Sequence, residues 1–490
     1  MDRSIDRRSF LTKAVAAGSS LSWVAGGAAG LAGAARAAGS GPPIRGQVIK
    51  KGAPGFKAAA HVYNSRFDNV LPSFVARPLD AADVRTAVKW GVAHGVPLRA
   101  RSGGHSYAGY STLSGGIVLD LRNLRGISVN VGARTATIGA GAQLIDVYSA
   151  LAARGVTIPA GSCPSVGIAG HALGGGMGLA GRQFGLTADN LLSARIVTAD
   201  GRLITASAQE HPDLYWALRG GGGGNFGVVT SFTFRVHRIP HTVAWFILRW
   251  PASRGADALA AWQAWAPHAR SELTSIFHLN GGGAPAQVTG QYFGRAGDLA
   301  HLLNPITSVP GAVVHTGDLD FLSAQLMWAG CSNISFTACH TTGTRPGGML
   351  PRESFQAKSD YVSKPLPAAA LGALVQAALD RGDTPGSGAI LFDSYGGAIK
   401  QVRPAATAFV HRKVLFCIQY LTYNGGGSWL DSTYAKLRPY VTGGAYFNYT
   451  DPNLAHWQSA YYGSNYQRLL AIRRQVDPHH YFNFPQALGR

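Results

Sequence analysis

The sequence is short of acid. Aspartate and glutamate together number 24 in 490 residues against 44 lysines and arginines, which leaves a formal charge of +20 although only 14% of residues are charged. The basic excess is scattered: no Lys/Arg run exceeds two residues, and no nucleic-acid-binding module is present. That pattern describes a solvated basic exterior, not a nucleic-acid surface. Long apolar runs are also missing beyond the N-terminal stretch, so no stable membrane insertion is expected. No internal repeat of solenoid period occurs. Cysteine is scarce, four in all, which permits two bridges at most. Cys331 and Cys339, eight apart, are expected to form a local disulfide; His340 is the sole third ligand nearby, so no metal site is expected. Cys417, inside an apolar run, reads as a buried thiol.

Glycine is what the chain has in quantity, 64 residues. It is neither periodic nor joined by an excess of proline or serine, which sets aside collagen-like and disordered readings. The length suffices for two domains with separate cores. The N-terminus carries Arg7-Arg8-Ser9-Phe10-Leu11, a twin-arginine pattern, then a weakly apolar stretch interrupted by glycines from Gly18 to Gly33, and small residues around Ala35-Arg36-Ala37. Residues 1–38 are therefore expected to be a cleaved twin-arginine signal, read by the export machinery of that type, and the mature protein to be periplasmic or extracellular.

Downstream the text becomes mixed α/β. Residues 39–60 read as a loose leader. Asp80 is placed to N-cap a helix with Val84, Val88 and Val92 on one face and Gly95 at its end. Strands are expected at 96–100 and 116–121, and a helix over 142–154 with Leu144, Val147, Tyr148 and Leu151 inward. Asp200-Gly201 between alternating runs predicts a hairpin. Pro212 opens a short helix ending near Leu218, followed by a strand from Val228 to Val236. From about Pro240 the composition shifts: most of the tryptophans follow, with strands expected at 243–250, 389–392 and 413–423 and helices at 256–265 and 368–380. The last forty residues carry a helix and an aromatic tail.

Two glycine-rich turns stand out. One is Arg101-Ser102-Gly103-Gly104-His105-Ser106-Tyr107; the other runs Gly161-Ser162-Cys163-Pro164-Ser165-Val166-Gly167 and on through Gly170-His171 to Gly174-Gly175-Gly176. Glycines so dense let backbone approach a flat or anionic ligand, and we read His105 and Cys163 as holding one flavin. On spacing alone a structural His/Cys pair and a Cys–His hydrolase stay open, although Pro164 removes the N–H most natural for an oxyanion hole. Gly222 to Gly227 matches the dinucleotide fingerprint formally. A helix precedes it and a strand follows, the reverse of what that fingerprint needs, so its glycines serve at most as a phosphate nest.

With Gly181 to Asn190, Asn225-Phe226-Gly227 and Tyr461 to Leu469, both turns occur in an order that resembles the berberine bridge enzyme-like oxidases of the vanillyl-alcohol oxidase and p-cresol methylhydroxylase superfamily. The resemblance implies an α+β fold: a two-subdomain FAD-binding domain of the p-cresol methylhydroxylase type over 39–240, a substrate domain with an antiparallel sheet backed by helices over 241–448, and a segment 449–490 returning to the first domain. It implies FAD tethered twice, from His105 to the 8α carbon and from Cys163 to C6. Arg101, Ser102, Gly103, Gly104 and Ser106 would surround pyrophosphate and flavin, together with Gly167, Gly170, His171, Gly174 and Gly175. Asn225, Gly227 and Val229 would complete that shell, with Asn465 and Tyr466 approaching the ring. Tyr449 matches the catalytic tyrosine, Asp393 a supporting aspartate of oligosaccharide oxidases, and Gln419 a position holding Glu or Gln. Val166 matches the residue associated with oxygen access.

Phe184 and Cys417 depart from many relatives, which carry tyrosine and, among plant alcohol-oxidising members, lysine there. The implied reaction is oxidation of an alcohol or carbohydrate, leaning to sugar C1, with O2 reduced to H2O2. A tailoring oxidoreductase of a secondary metabolite, a dehydrogenase with another acceptor, and a flavoprotein fold kept as a binding module are the alternatives. Taken without the resemblance, Tyr449, Asp393 and Gln419 are ordinary strand and turn residues.

Overall fold

A computed structural model describes residues 41–382 and 387–490; the twin-arginine segment lies outside them. Three main sheets organise the chain. The first orders Gln47–Lys50, Phe74–Arg77, Ile117–Asp120 and Leu98–Arg101, the last three parallel. The second is antiparallel: Ile127–Asn130, Thr135–Gly139, Val228–Arg235, Leu191–Val197 and Leu203–Ser207. Both share one core that includes Val84, Leu119, Ile138, Leu151, Ile196 and Phe232.

Local chemistry places these elements. Asp80 accepts from the N–H groups of Ala82 and Asp83 and starts the helix Ala81–Ala93. Val84 and Val88 are buried, but Val92, expected on the same face, is 44% exposed because the helix turns it outward near its end. Asp200-Gly201 joins Leu191–Val197 to Leu203–Ser207 as the hairpin expected. Residues 39–60 are not a loose leader throughout: Gln47–Lys50 pairs with Phe74–Arg77, and Phe56–Ala60 is helical.

The third sheet has seven antiparallel strands, in the order Val313–Leu319, Val243–Trp250, Ala286–Tyr292, Leu273–Asn280, Gly388–Ser394, Phe416–Tyr423 and Phe355–Val362. Helices Gly255–Trp265, Leu299–Thr307, Ala368–Asp380 and Gly427–Leu437 cover one face, and Phe246, Trp262, Phe277, Phe392 and Ile418 fill the core between. The two-residue alternation of each strand turns the other face toward the first domain. Past Tyr440 the chain leaves this layer: Ala460, Tyr461, Leu469, Ile472, Phe482 and Leu488 belong to the first core. Cys331 and Cys339 are disulfide-bonded. Among the described residues, no helix is long and apolar enough to cross a membrane.

Candidate active site

The two glycine turns are brought together by contacts that only glycine permits. A Cβ on Gly103 would lie 2.3 Å from the Gly167 nitrogen, and one on Gly167 would lie 2.0 Å from Ser102 Oγ. The second turn is tied to the helix Leu144–Ala152, whose Leu144 and Ile145 N–H groups donate to the carbonyls of Val166 and Pro164. His105 and Cys163 thereby line one cavity of about 760 Å³ between the first domain and the open face of the seven-stranded sheet.

Burial lowers the His105 pKa to about 3, so the imidazole is neutral with a lone pair to offer. Its Nε2 lies 2.9 Å from Ser165 Oγ, which in turn meets Thr341 Oγ1 at 2.6 Å, and Tyr63 stacks on the ring at 3.9 Å. His171, pushed to about 4 by burial, accepts from the Gly161 N–H. Cys163, which is in no disulfide, is exposed and lines the cavity.

At the reacting end, Tyr449 Oη donates to Asp393 Oδ2 at 3.0 Å. Burial raises the Asp393 pKa to about 6 despite that bond. Burial, then the Asp393 charge, drives the Tyr449 phenol well above its ordinary value. Gln419 Nε2 donates to Tyr107 Oη at 2.9 Å, and the Tyr107 ring stacks on Tyr449 with centroids 5.5 Å apart. Tyr107 went unassigned in the sequence although it follows His105 by two; only the cross-domain stack reveals its place. Cys417 shares the cavity side of its strand with Gln419 but is buried under Tyr361 and Tyr395.

Ser102, Gly103, Gly104, Ser106, Val166, Gly167, Gly170, His171, Gly227 and Val229 also line the cavity. Six expected cofactor residues do not. Arg101 turns to Asp120 and to the carbonyls of Ala59, Ala60 and His61. Asn448 occupies the space beside Gly174, and Phe409 that beside Gly175. Asn225 accepts from the Leu488 N–H and so fastens the C-terminus. Asn465 donates to the carbonyls of Pro404 and Thr407, and Tyr466 packs on Tyr462 and Trp457. The returning tail reaches the cavity through Phe482 and Phe484 instead. Phe184 stacks on His237, away from the cavity.

The far end fits a dinucleotide cofactor. Arg99 Nε, Tyr110 Oη and Ser111 Oγ are buried there without protein partners, all three are donors, and all three residues line the cavity. A Cβ on Gly170 would point into open space, so the cradle is shaped by the lack of a side chain. Such donors suit phosphate and ribose oxygens.

The FAD binding domain family matches residues 72–207, and the berberine and berberine-like family matches 445–489. The FAD-linked oxidoreductase YgaK of Bacillus subtilis (strain 168) is 32% identical over 463 residues, covering 91% of this chain and 97% of that protein. The solved structure of Physcomitrella patens BBE-like 1 superposes with a TM-score of 0.84 at 34% identity, covering 91% of this chain and 97% of the other. A chitooligosaccharide oxidase superposes with 0.81 at 27% identity over 90% and 97% of the two chains. Phl p 4, a grass pollen allergen with glucose dehydrogenase activity, gives 0.81 at 28% identity over 90% and 96%; its N-to-H variant is a glucose dehydrogenase, and the variant with an added isoleucine-to-valine change is a glucose oxidase. The two family matches, the cavity and these likenesses place the chain in the berberine bridge enzyme-like family of FAD-linked oxidoreductases.

Proposed function

We propose that this protein is an exported oxidase that takes hydride from an alcohol carbon, C1 of a sugar, and passes the electrons to O2 with release of H2O2. The observation that carries the reading is the Tyr449–Asp393 pair, set in the same cavity as His105 and Cys163. Bound FAD supplies the hydride acceptor. The chain supplies the base: Tyr449 Oη takes the substrate hydroxyl proton as its own proton moves to Asp393 Oδ2, the carboxylate that titrates near 6. A lone phenol raised so far could not do this near neutrality; the pair shares the proton. Tyr107, held by Gln419, stacks on Tyr449 and fixes its ring.

His105 and Cys163 are proposed as the two attachment points, the neutral imidazole and the cavity-facing thiol each offering a lone pair. The glucose-converting and chitooligosaccharide-oxidising relatives favour a carbohydrate. Val166 lines the cavity, and the pollen relative becomes an oxidase with an isoleucine-to-valine change, which favours O2 as acceptor. The test has two readings. Acid-precipitated protein should keep a yellow pellet in wild type, in His105→Ala and in Cys163→Ala, and lose it only when both are replaced. Peroxide release should then follow sugars with a free C1 hydroxyl; a response to aromatic alcohols alone would instead support a tailoring enzyme of secondary metabolism.

A further inference from the structure

On the substrate side one charged residue has no role in the chemistry above. Arg249 lines the cavity from the strand Val243–Trp250. Its Nε donates to Gln287 Oε1 at 2.9 Å, and no carboxylate lies within ion-pair range of it among the described residues. The other charged residues of the cavity are engaged elsewhere. Asp393 receives Tyr449, Glu353 interacts with Tyr63, and Arg99 sits at the far end beside Phe484 and Tyr110.

Strand register fixes where Arg249 stands. Gln419 pairs with Leu391, Leu391 with His278, His278 with Gln287, and Gln287 with Arg249. One rung thus runs from the reacting end to Arg249 across the cavity face. On the neighbouring rung Asp393 pairs with Ile276, Ile276 with Thr289, and Thr289 with Ile247, two residues before Arg249. Three strand spacings of roughly 4.8 Å put about 14 Å between the strand of Asp393 and that of Arg249, more than a single six-membered ring spans. Two buried oxygens on the same face lack partners: Thr274 Oγ1 and Asn280 Oδ1, in residues 1% and 6% exposed. Both residues line the cavity, and buried polar atoms of this kind are completed by a bound polar group.

We propose that Arg249 is a specificity-determining residue that receives a substrate carboxylate, so the preferred substrate is an acidic disaccharide or longer chain, bearing its carboxylate on the ring beyond the one oxidised. Gln287 holds Nε and orients the guanidinium, which leaves the Nη1/Nη2 fork for bidentate pairing with the two carboxylate oxygens. Asn280 Oδ1 and Thr274 Oγ1, flanking that path on the strand Leu273–Asn280, take sugar hydroxyls. This inference rests on the sugar-oxidising reading given above.

The test compares a neutral disaccharide with its counterpart carrying a carboxylate in place of the terminal hydroxymethyl of the non-reducing ring, on flavin-loaded enzyme. In wild type the acidic sugar should have the higher kcat/KM by about tenfold, the size of one charge-assisted contact, and the preference should shrink as salt is added. Arg249→Gln should abolish the preference and Arg249→Lys retain part of it. Equal kcat/KM for the two sugars in wild type, or an unchanged preference in Arg249→Gln, would overturn the proposal. Should neither sugar yield peroxide, the sugar-oxidising reading fails, and calorimetric titration of the acidic disaccharide still decides the role of Arg249. Binding lost in the Gln variant supports it, and no binding to wild type overturns it.

Discussion

Asp393 and Tyr449 come from elements 56 residues apart in sequence and meet at a 3.0 Å hydrogen bond. The substrate proton can be taken only while Asp393 is ionised, so kcat/KM should fall with acidity below about pH 6, where burial has moved this carboxyl. Asp393→Asn should lose that acid limb and most of the rate together; an unchanged pH profile would remove Asp393 from the proton path. Tyr449→Phe should cut kcat by roughly 10²–10⁴, the usual share of a positioned proton acceptor, while the visible spectrum of the bound flavin persists. The same shift has a stability consequence. A carboxyl whose folded pKa is raised gives stability that is full below its unfolded value of 3.8 and is lost as pH rises through about 6. Asp393→Asn should therefore gain in Tm relative to wild type between pH 4 and pH 8.

Among the elements, the four-residue helix Gly181–Phe184 does more than its length suggests. Its Arg182 is 1% exposed and donates to the carbonyls of Leu273, Pro267, Ala269 and Tyr395, so it pins the first domain to the seven-stranded sheet. Arg182→Ala removes the donor from three buried carbonyls and one half-buried one and should cost at least ~3 kcal/mol in denaturant unfolding, since each unmet buried group costs about 1–3 kcal/mol; Arg182→Lys should recover a part. Elements with clean periodicity were legible before folding: Val243–Trp250 and Ala368–Asp380 have the bounds their patterns predict. Ala286–Tyr292 and Phe355–Val362 were not legible. Gln287, Thr289 and Gln291 in the first, and Gln356, Lys358 and Asp360 in the second, keep a two-residue alternation, but Gly290 and Ser359 stand where it needs an apolar side chain. In the strand Ala286–Tyr292 these polar positions fall on the face turned to the first domain, which no local pattern announces.

For the whole molecule, the disulfide between Cys331 and Cys339 is the feature most at home in an oxidising compartment, in keeping with export proposed from Arg7 and Arg8. Replacing both arginines by lysine should leave precursor in the cytoplasm, read by cell fractionation, with Cys331 and Cys339 open to thiol labelling there. Exported wild type should resist labelling at both. Mature protein outside the cytoplasm of the double-lysine variant would refute the twin-arginine reading.

Sequence alone determined the attachment candidates His105 and Cys163, the glycines beside them, and Tyr449 with Asp393. Short-range order carries such information: close backbone approach needs glycine wherever the turn ends up, and motif order survives folding. Tertiary structure alone decided which residues face the cavity. Arg101, Gly174, Gly175, Asn225, Asn465 and Tyr466 lie in or beside the right segments yet spend their contacts on the fold, whereas Tyr107, Arg99 and Arg249 turn inward. That choice depends on which partner packs behind each side chain, and those partners come from strands and tails far away in the chain.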